Sequence, residues 1–202
     1  GRTARFEDSV TASAPHRQLR TETLEVCFRE LIRFSDSKPQ RDPDLETLLC
    51  RGNVSLESRE FKDGQQVSYQ QMQVVDLTIN YTSGALKAEG PGWLTSVRYG
   101  SGSLLGRIAG PRNTNPQARP ASDQRSKLRR MEVNFQGPFR GNVNRETMTF
   151  SDQVRVAYAE VDSWQTVLDA DDPTSLGPGG IVMRCDELSV TQMPVPMTDQ
   201  KA

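Results

Sequence analysis

Histidine is almost missing from this chain: His16 is the only one in 202 residues. A Ser-His-Asp or Cys-His catalytic arrangement would have to recruit it from "SAPHRQL", a turn between two strand-like stretches, so no enzyme of that kind is expected. Cysteine is scarce as well. Cys27, Cys50 and Cys185 are an odd number without C-x-x-C spacing, and each sits in an apolar strand pattern, which suits small buried thiols better than a metal or redox site. One disulfide with one free thiol stays open as an alternative. No apolar run approaches the roughly 20 residues of a membrane-spanning helix, and no secretory core is present. Aromatics make up 6% and apolar residues 35%, with a mean hydropathy of -0.63. That describes a thin core under a wide polar surface, as in an elongated or repetitive β fold. With 25 basic against 26 acidic residues the net charge is -1, so bulk attraction to nucleic acid has no basis.

Specific chemistry is thin too. There is no P-loop and no dinucleotide fingerprint. Asp169, Asp171 and Asp172 in "LDADDP" lack EF-hand spacing and read as a solvated acidic loop, so neither metal nor other cofactor is expected. Lys127, Arg129 and Arg130, with Arg125, form the one basic cluster, in "RSKLRRM"; alternation splits it over both faces of a strand, which reads as a charged edge. Helix signals are nearly absent. "DPDLETLL" has an Asp-Pro start that fits a short turn or a strand equally well. The first residue is Gly1, which reads as a fragment of a longer chain with a signal or anchor upstream.

What is present is repetition. "RFEDSVTA" near one end and "TFSDQVRV" near the other share Phe-x-Asp-x-Val with an apolar residue two further on: Phe6, Asp8, Val10, Ala12 and Phe150, Asp152, Val154, Val156. Period two marks a strand with one face buried. Cys50, Gly52, Val54, Leu56 is a third copy; Ala88, Gly90, Gly92, Leu94 and Phe135, Gly137, Phe139 are looser ones. The Gly or Asp inside each predicts a bulge, a bend or a close backbone approach at one level. A second phrase follows: Leu19-x-Thr21-x-x-Leu24-x-Val26, repeated as Val67-x-Tyr69-x-x-Met72-x-Val74 and Met183-x-Cys185-x-x-Leu188-x-Val190. Its extra middle residue predicts a β-bulge. "LRRMEVNF" is a weaker fourth copy. First and second phrases alternate in four passes, each an outgoing and a returning strand. Segments rich in turn residues predict long loops near 36–44, 100–127 and 160–180.

The pairing of "CRGNVSL" with "VSYQQMQV", and of "FSDQVRV" with "MRCDELSV", resembles the OstA-like (organic solvent tolerance) family of periplasmic lipopolysaccharide-transport proteins. The resemblance covers Phe6 to Val190. It implies an all-β fold, an open twisted β-jellyroll of about four stacked hairpin layers, in a single elongated domain over 1–202. It further implies a non-enzymatic module that shields acyl chains of lipopolysaccharide or a related outer-membrane lipid in an apolar groove. Its partners would be that lipid and other OstA-like jellyrolls met through edge strands. The location would be periplasmic, with a membrane tether outside this fragment. The candidate lining is Val10, Val54, Leu56, Leu94, Phe139, Val154 and Val156, facing Leu24, Val26, Met72, Val74, Leu188 and Val190. Gly52, Gly90, Gly92 and Gly137 are expected to leave space in it. The alternative is a structural or protein-interaction β module with a closed core, whose loops at 100–127 and 160–180 bind a partner.

Overall fold

The computed structural model describes residues 2–31, 44–99 and 127–191. The expected loops near 36–44 and 100–127, except for the last residue of each, lie outside the described residues, as does Arg125. Period-two stretches become strands: β1 (Thr3–Phe6), β2 (Val10–Ala14), β3 (Arg17–Thr21), β4 (Thr23–Phe28), β5 (Leu45–Lys62), β6 (Gln65–Asn80), β7 (Ala85–Glu89), β8 (Gly92–Tyr99), β9 (Leu128–Phe135), β10 (Phe139–Asn142), β11 (Thr147–Val161) and β12 (Ile181–Thr191). They form one 12-stranded sheet in which every pairing is antiparallel. "DPDLETLL" enters a strand at Leu45. The only helical piece among the described residues is a 3-10 turn, Pro173–Leu176.

The sheet carries a crease. β1 gives way to β2 at Asp8 and Ser9, β5 kinks at Gly52 and Asn53, and β11 kinks at Asp152 and Gln153; all six residues have φ between 49° and 78°. Left-handed backbone is free for Gly and tolerated by Asn and Asp, which is why the phrase places those types there. On either side of the crease the strands line up in the same order. One leaf runs β1, β4, the start of β5, the end of β6, β7, β10, the start of β11 and the end of β12. The other runs β2, β3, the end of β5, the start of β6, β8, β9, the end of β11 and the start of β12. The four outgoing-and-returning passes are thus four creased hairpins laid side by side.

Hydrogen bonds close the backbone left unpaired at the crease, as buried peptide groups require. Glu22 N donates to Gly52 O (3.0 Å) and Gln136 N to Asp152 O (2.8 Å). Gly52 N donates to Asp76 Oδ1 (2.9 Å), Asn53 Nδ2 to Glu22 Oε1 (2.7 Å), and Thr21 Oγ1 to Arg51 O (2.9 Å). The crease glycines do not leave space. A Cβ on Gly90 would strike the carbonyls of Gln136 and Gly137, one on Gly137 the Asp152 side chain, one on Gly52 the Glu22 side chain, and one on Gly92 Gln73 O and the Phe135 ring. Glycine here lets neighbouring strands approach, so the expected spare volume is filled.

Two further expectations shift. The bulge tied to the second phrase exists at the right level, but its doubled side is the outgoing strand: Gly52 and Asn53 oppose Val75, and Asp152 and Gln153 oppose Asp186. In β6 the break falls at Val75 and Asp76, five residues beyond Gln70 and Gln71, so the matching phrase is Met72-x-Val74-x-x-Leu77-x-Ile79. Residues 68–73 pair without interruption. The basic cluster is not on an edge, since β9 lies between β8 and β11. The unpaired margins among the described residues are β1 and β2 on one side and β12 on the other.

Candidate functional site

Because pairing registers run on within each leaf, inward side chains fall into rows that cross the strands. On the first leaf, Phe6, Leu24, Cys50, Leu77, Ala88, Phe139, Phe150 and Leu188 make the row beside the crease, and Ala4, Val26, Leu48, Ile79, Leu86, Gly141, Met148 and Val190 the next. On the second leaf the corresponding rows are Val10, Thr21, Val54, Val74, Gly92, Phe135, Val154, Cys185 and Ala12, Leu19, Leu56, Met72, Leu94, Val133, Val156, Met183. Most of the apolar side chains in the four rows form one cluster, with Phe6, Ala4 and Met183 at the margins outside it. A single-layer sheet wets both faces, so the near-complete burial of the middle of these rows, at Val54, Val74, Leu77, Phe139, Phe150 and Val154, requires the sheet to cover itself. Arg17 on the second leaf also lies close enough to Tyr81, in the turn after β6 on the first, to act on its phenol.

All thirteen candidate lining residues belong to this cluster. Val54, Phe139 and Val154 are wholly buried, while Val10, Leu56, Leu188 and Val190 are partly so. Phe135, Phe139 and Phe150 meet at the centre, the last two stacked with centroids 4.8 Å apart. Leu77 and Ile79 join the rows because the break in β6 falls five residues beyond the Val67-x-Tyr69-x-x-Met72-x-Val74 spacing. Leu86 and Met148 both face Gly141 in the same row. The three cysteines are free thiols. Burial, with the Asp76 carboxylate adding to it, pushes the Cys50 thiol up to about 12.

Beyond the apolar rows the second leaf extends two more. Arg17, Ser58, Gln70, Ser96, Met131 and Tyr158 form one; Glu60, Ser68, Arg98, Arg129 and Glu160 form the outermost. The interior therefore grades from apolar at the crease to polar and charged at the lip. Burial holds the Arg98 guanidinium below its ordinary pKa, with the like charge of Arg129 acting the same way against Tyr158.

The outer face of the same leaf is covered in part. Val97, Leu128, Ala157, Ala159 and Val161 pack with Leu168 and Leu176, and Trp164 and Ala170 add to them. The 160–180 segment is thus a strap folded onto the sheet, with β11 running on to Val161. Arg130 pairs with Glu132 beneath it, Leu168 N donates to Glu132 Oε1 (3.1 Å), and Arg130 Nη1 to Trp164 O (3.3 Å). The acidic loop is engaged as well: Asp171 accepts from Arg184 at 2.6 Å, and Asp172 caps the 3-10 turn. His16, in the turn between β2 and β3, packs against Phe61 with the rings tilted at 43° and centroids 4.6 Å apart.

Compared with family models, with curated proteins and with solved structures, the chain finds no match.

Proposed function

We propose that the creased sheet is an open, twisted β-jellyroll of the OstA-like kind and that it shields acyl chains of lipopolysaccharide or a related outer-membrane lipid between its leaves, in the periplasm and without catalysis. The supporting observation is the shape of the apolar rows. They cross every strand and run out at both unpaired margins to large exposed side chains, Phe6 at 49% exposure and Met183 at 44%. A trough open at both ends suits a long apolar ligand that is passed along. Each methylene buried there contributes about 0.8 kcal/mol. The middle of the trough is filled by its own side chains, so a chain enters by parting the leaves. Among the described residues no strand pairing joins their free margins.

The filled centre favours a second reading, a structural or protein-interaction β module with a closed core. Of its two proposed partner-binding loops, 160–180 is packed on the outer face, and 100–127, apart from Lys127, lies outside the described residues. Native mass spectrometry of the purified chain separates the readings. Acyl shielding predicts co-purified lipid that survives gentle desolvation, whereas lipid-free folded protein from every preparation supports the closed module.

A further inference from the structure

Leu94, Ser96 and Arg98 alternate along one face of β8, each step roughly 7 Å further from the crease. Leu94 belongs to the apolar rows; the other two lie on the lip. Ser96 is 2% exposed, yet its Oγ has no hydrogen-bond partner; Arg98 is partly buried, and its Nη1 is a buried atom that likewise has no partner. Buried donors left without acceptors are rare in folded proteins and call for an explanation. Gln70 lies in register beside Ser96 and Ser68 beside Arg98, yet neither Ser96 Oγ nor Arg98 Nη1 is hydrogen-bonded to them. Arg129 faces Arg98 in register, and the next acid in that row, Glu160, is held by Lys127 at 2.6 Å with Arg129 at 3.8 Å. The result is a pair of guanidiniums beside a free hydroxyl, immediately above an apolar trough.

We infer that Ser96 and Arg98 form a receptor for the phosphate headgroup of an amphiphile whose acyl chain lies on the apolar rows. The inference rests on the acyl-shielding reading and adds the headgroup chemistry to it. A phosphate offers several acceptor oxygens, enough for the guanidinium fork and the hydroxyl together. The partial loss of proton affinity that burial imposes on Arg98 would be reversed by such an anion, a change that supports the geometry.

Titration calorimetry below the micellar concentration tests this with three probes: dodecyl phosphate, dodecyl maltoside and inorganic phosphate. The wild-type chain is expected to bind dodecyl phosphate about tenfold tighter than dodecyl maltoside, the scale of a charge-assisted hydrogen bond. Arg98→Gln should abolish that preference and leave dodecyl maltoside unchanged. Ser96→Ala should reduce it severalfold, and decides the matter if Arg98→Gln fails to fold by circular dichroism. Inorganic phosphate, without methylenes, should bind far more weakly. Equal wild-type affinity for the two amphiphiles, or equal loss of both in the variants, would overturn the headgroup receptor while leaving the acyl trough standing. Inorganic phosphate binding as tightly as dodecyl phosphate would overturn it in favour of a free-anion site. If neither amphiphile binds, the trough and the receptor fall together.

Discussion

Tandem left-handed residues at one level of several strands are what turn a flat sheet into a folded one. Gly52 is the position where the backbone most needs glycine, with φ of 78° and the Glu22 side chain against it. Gly52→Ala is expected to lower stability by about 1–2 kcal/mol. Gly64 has the same φ in the turn between β5 and β6 with open space around it, so Gly64→Ala should cost less, about 1 kcal/mol. Urea melts of the two variants check both; a neutral Gly52→Ala would mean that the crease is not strained there. Cys50 offers a second residue-scale test. With its thiol pushed up to about 12, the folded protein keeps this proton at alkaline pH where an ordinary thiol, near 9, has given it up. Its contribution is fully present below about pH 9 and is lost as pH rises through about 12. Thiol labelling at pH 8 should accordingly modify Cys27 and Cys185 first and reach Cys50 only on unfolding. Early modification of Cys50 would contradict its placement in the apolar rows.

At the scale of elements, the strap and the hairpins divide the outer and inner faces. Glu132 is the joint between strap and sheet, since it pairs with Arg130 and accepts from Leu168 N. Glu132→Ala leaves a nine-tenths buried guanidinium without its acid, an expected loss of about 3–5 kcal/mol. Limited proteolysis between 162 and 180 should quicken with it; unchanged cleavage would mean that the strap is held by other contacts. The four hairpins were legible in sequence because one buried face forces period two, and because the Gly or Asp of the crease recurs inside each outgoing strand. In β6 the second phrase reads five residues off because both faces carry apolar residues near Tyr69. Tyr69 packs with the outer cluster and Met72 with the inner one, and three-residue spacing between residues of opposite faces imitates a bulge. The strap was not legible, since its few apolar residues, Trp164, Leu168 and Leu176, follow no period and acquire a partner only when the sheet exists.

At the scale of the molecule, the described residues make a sheet folded along a crease whose outermost strands are β1 and β2 on one side and β12 on the other. Among the described residues these strands carry no outer partner, and such an edge can template another strand. Concentration-dependent head-to-tail association should follow in light scattering, and a strict monomer at high concentration would show that the margins are blocked. The inner rows were readable as a set, all thirteen residues meeting in one cluster, whereas whether they seal or admit a ligand depends on side-chain volume across two leaves, which alternation does not encode. Adjacent positions on opposite faces address that question most directly. Leu56 lies on the apolar rows and is only partly buried, so it accepts a bulky probe better than the wholly buried Val154, and Glu57 beside it points outward. A benzophenone amino acid at each position, in cells whose lipids carry a tagged acyl chain, should give a lipid adduct at Leu56 and none at Glu57. Equal labelling at both, or none at Leu56 in folded protein, would contradict acyl shielding between the leaves.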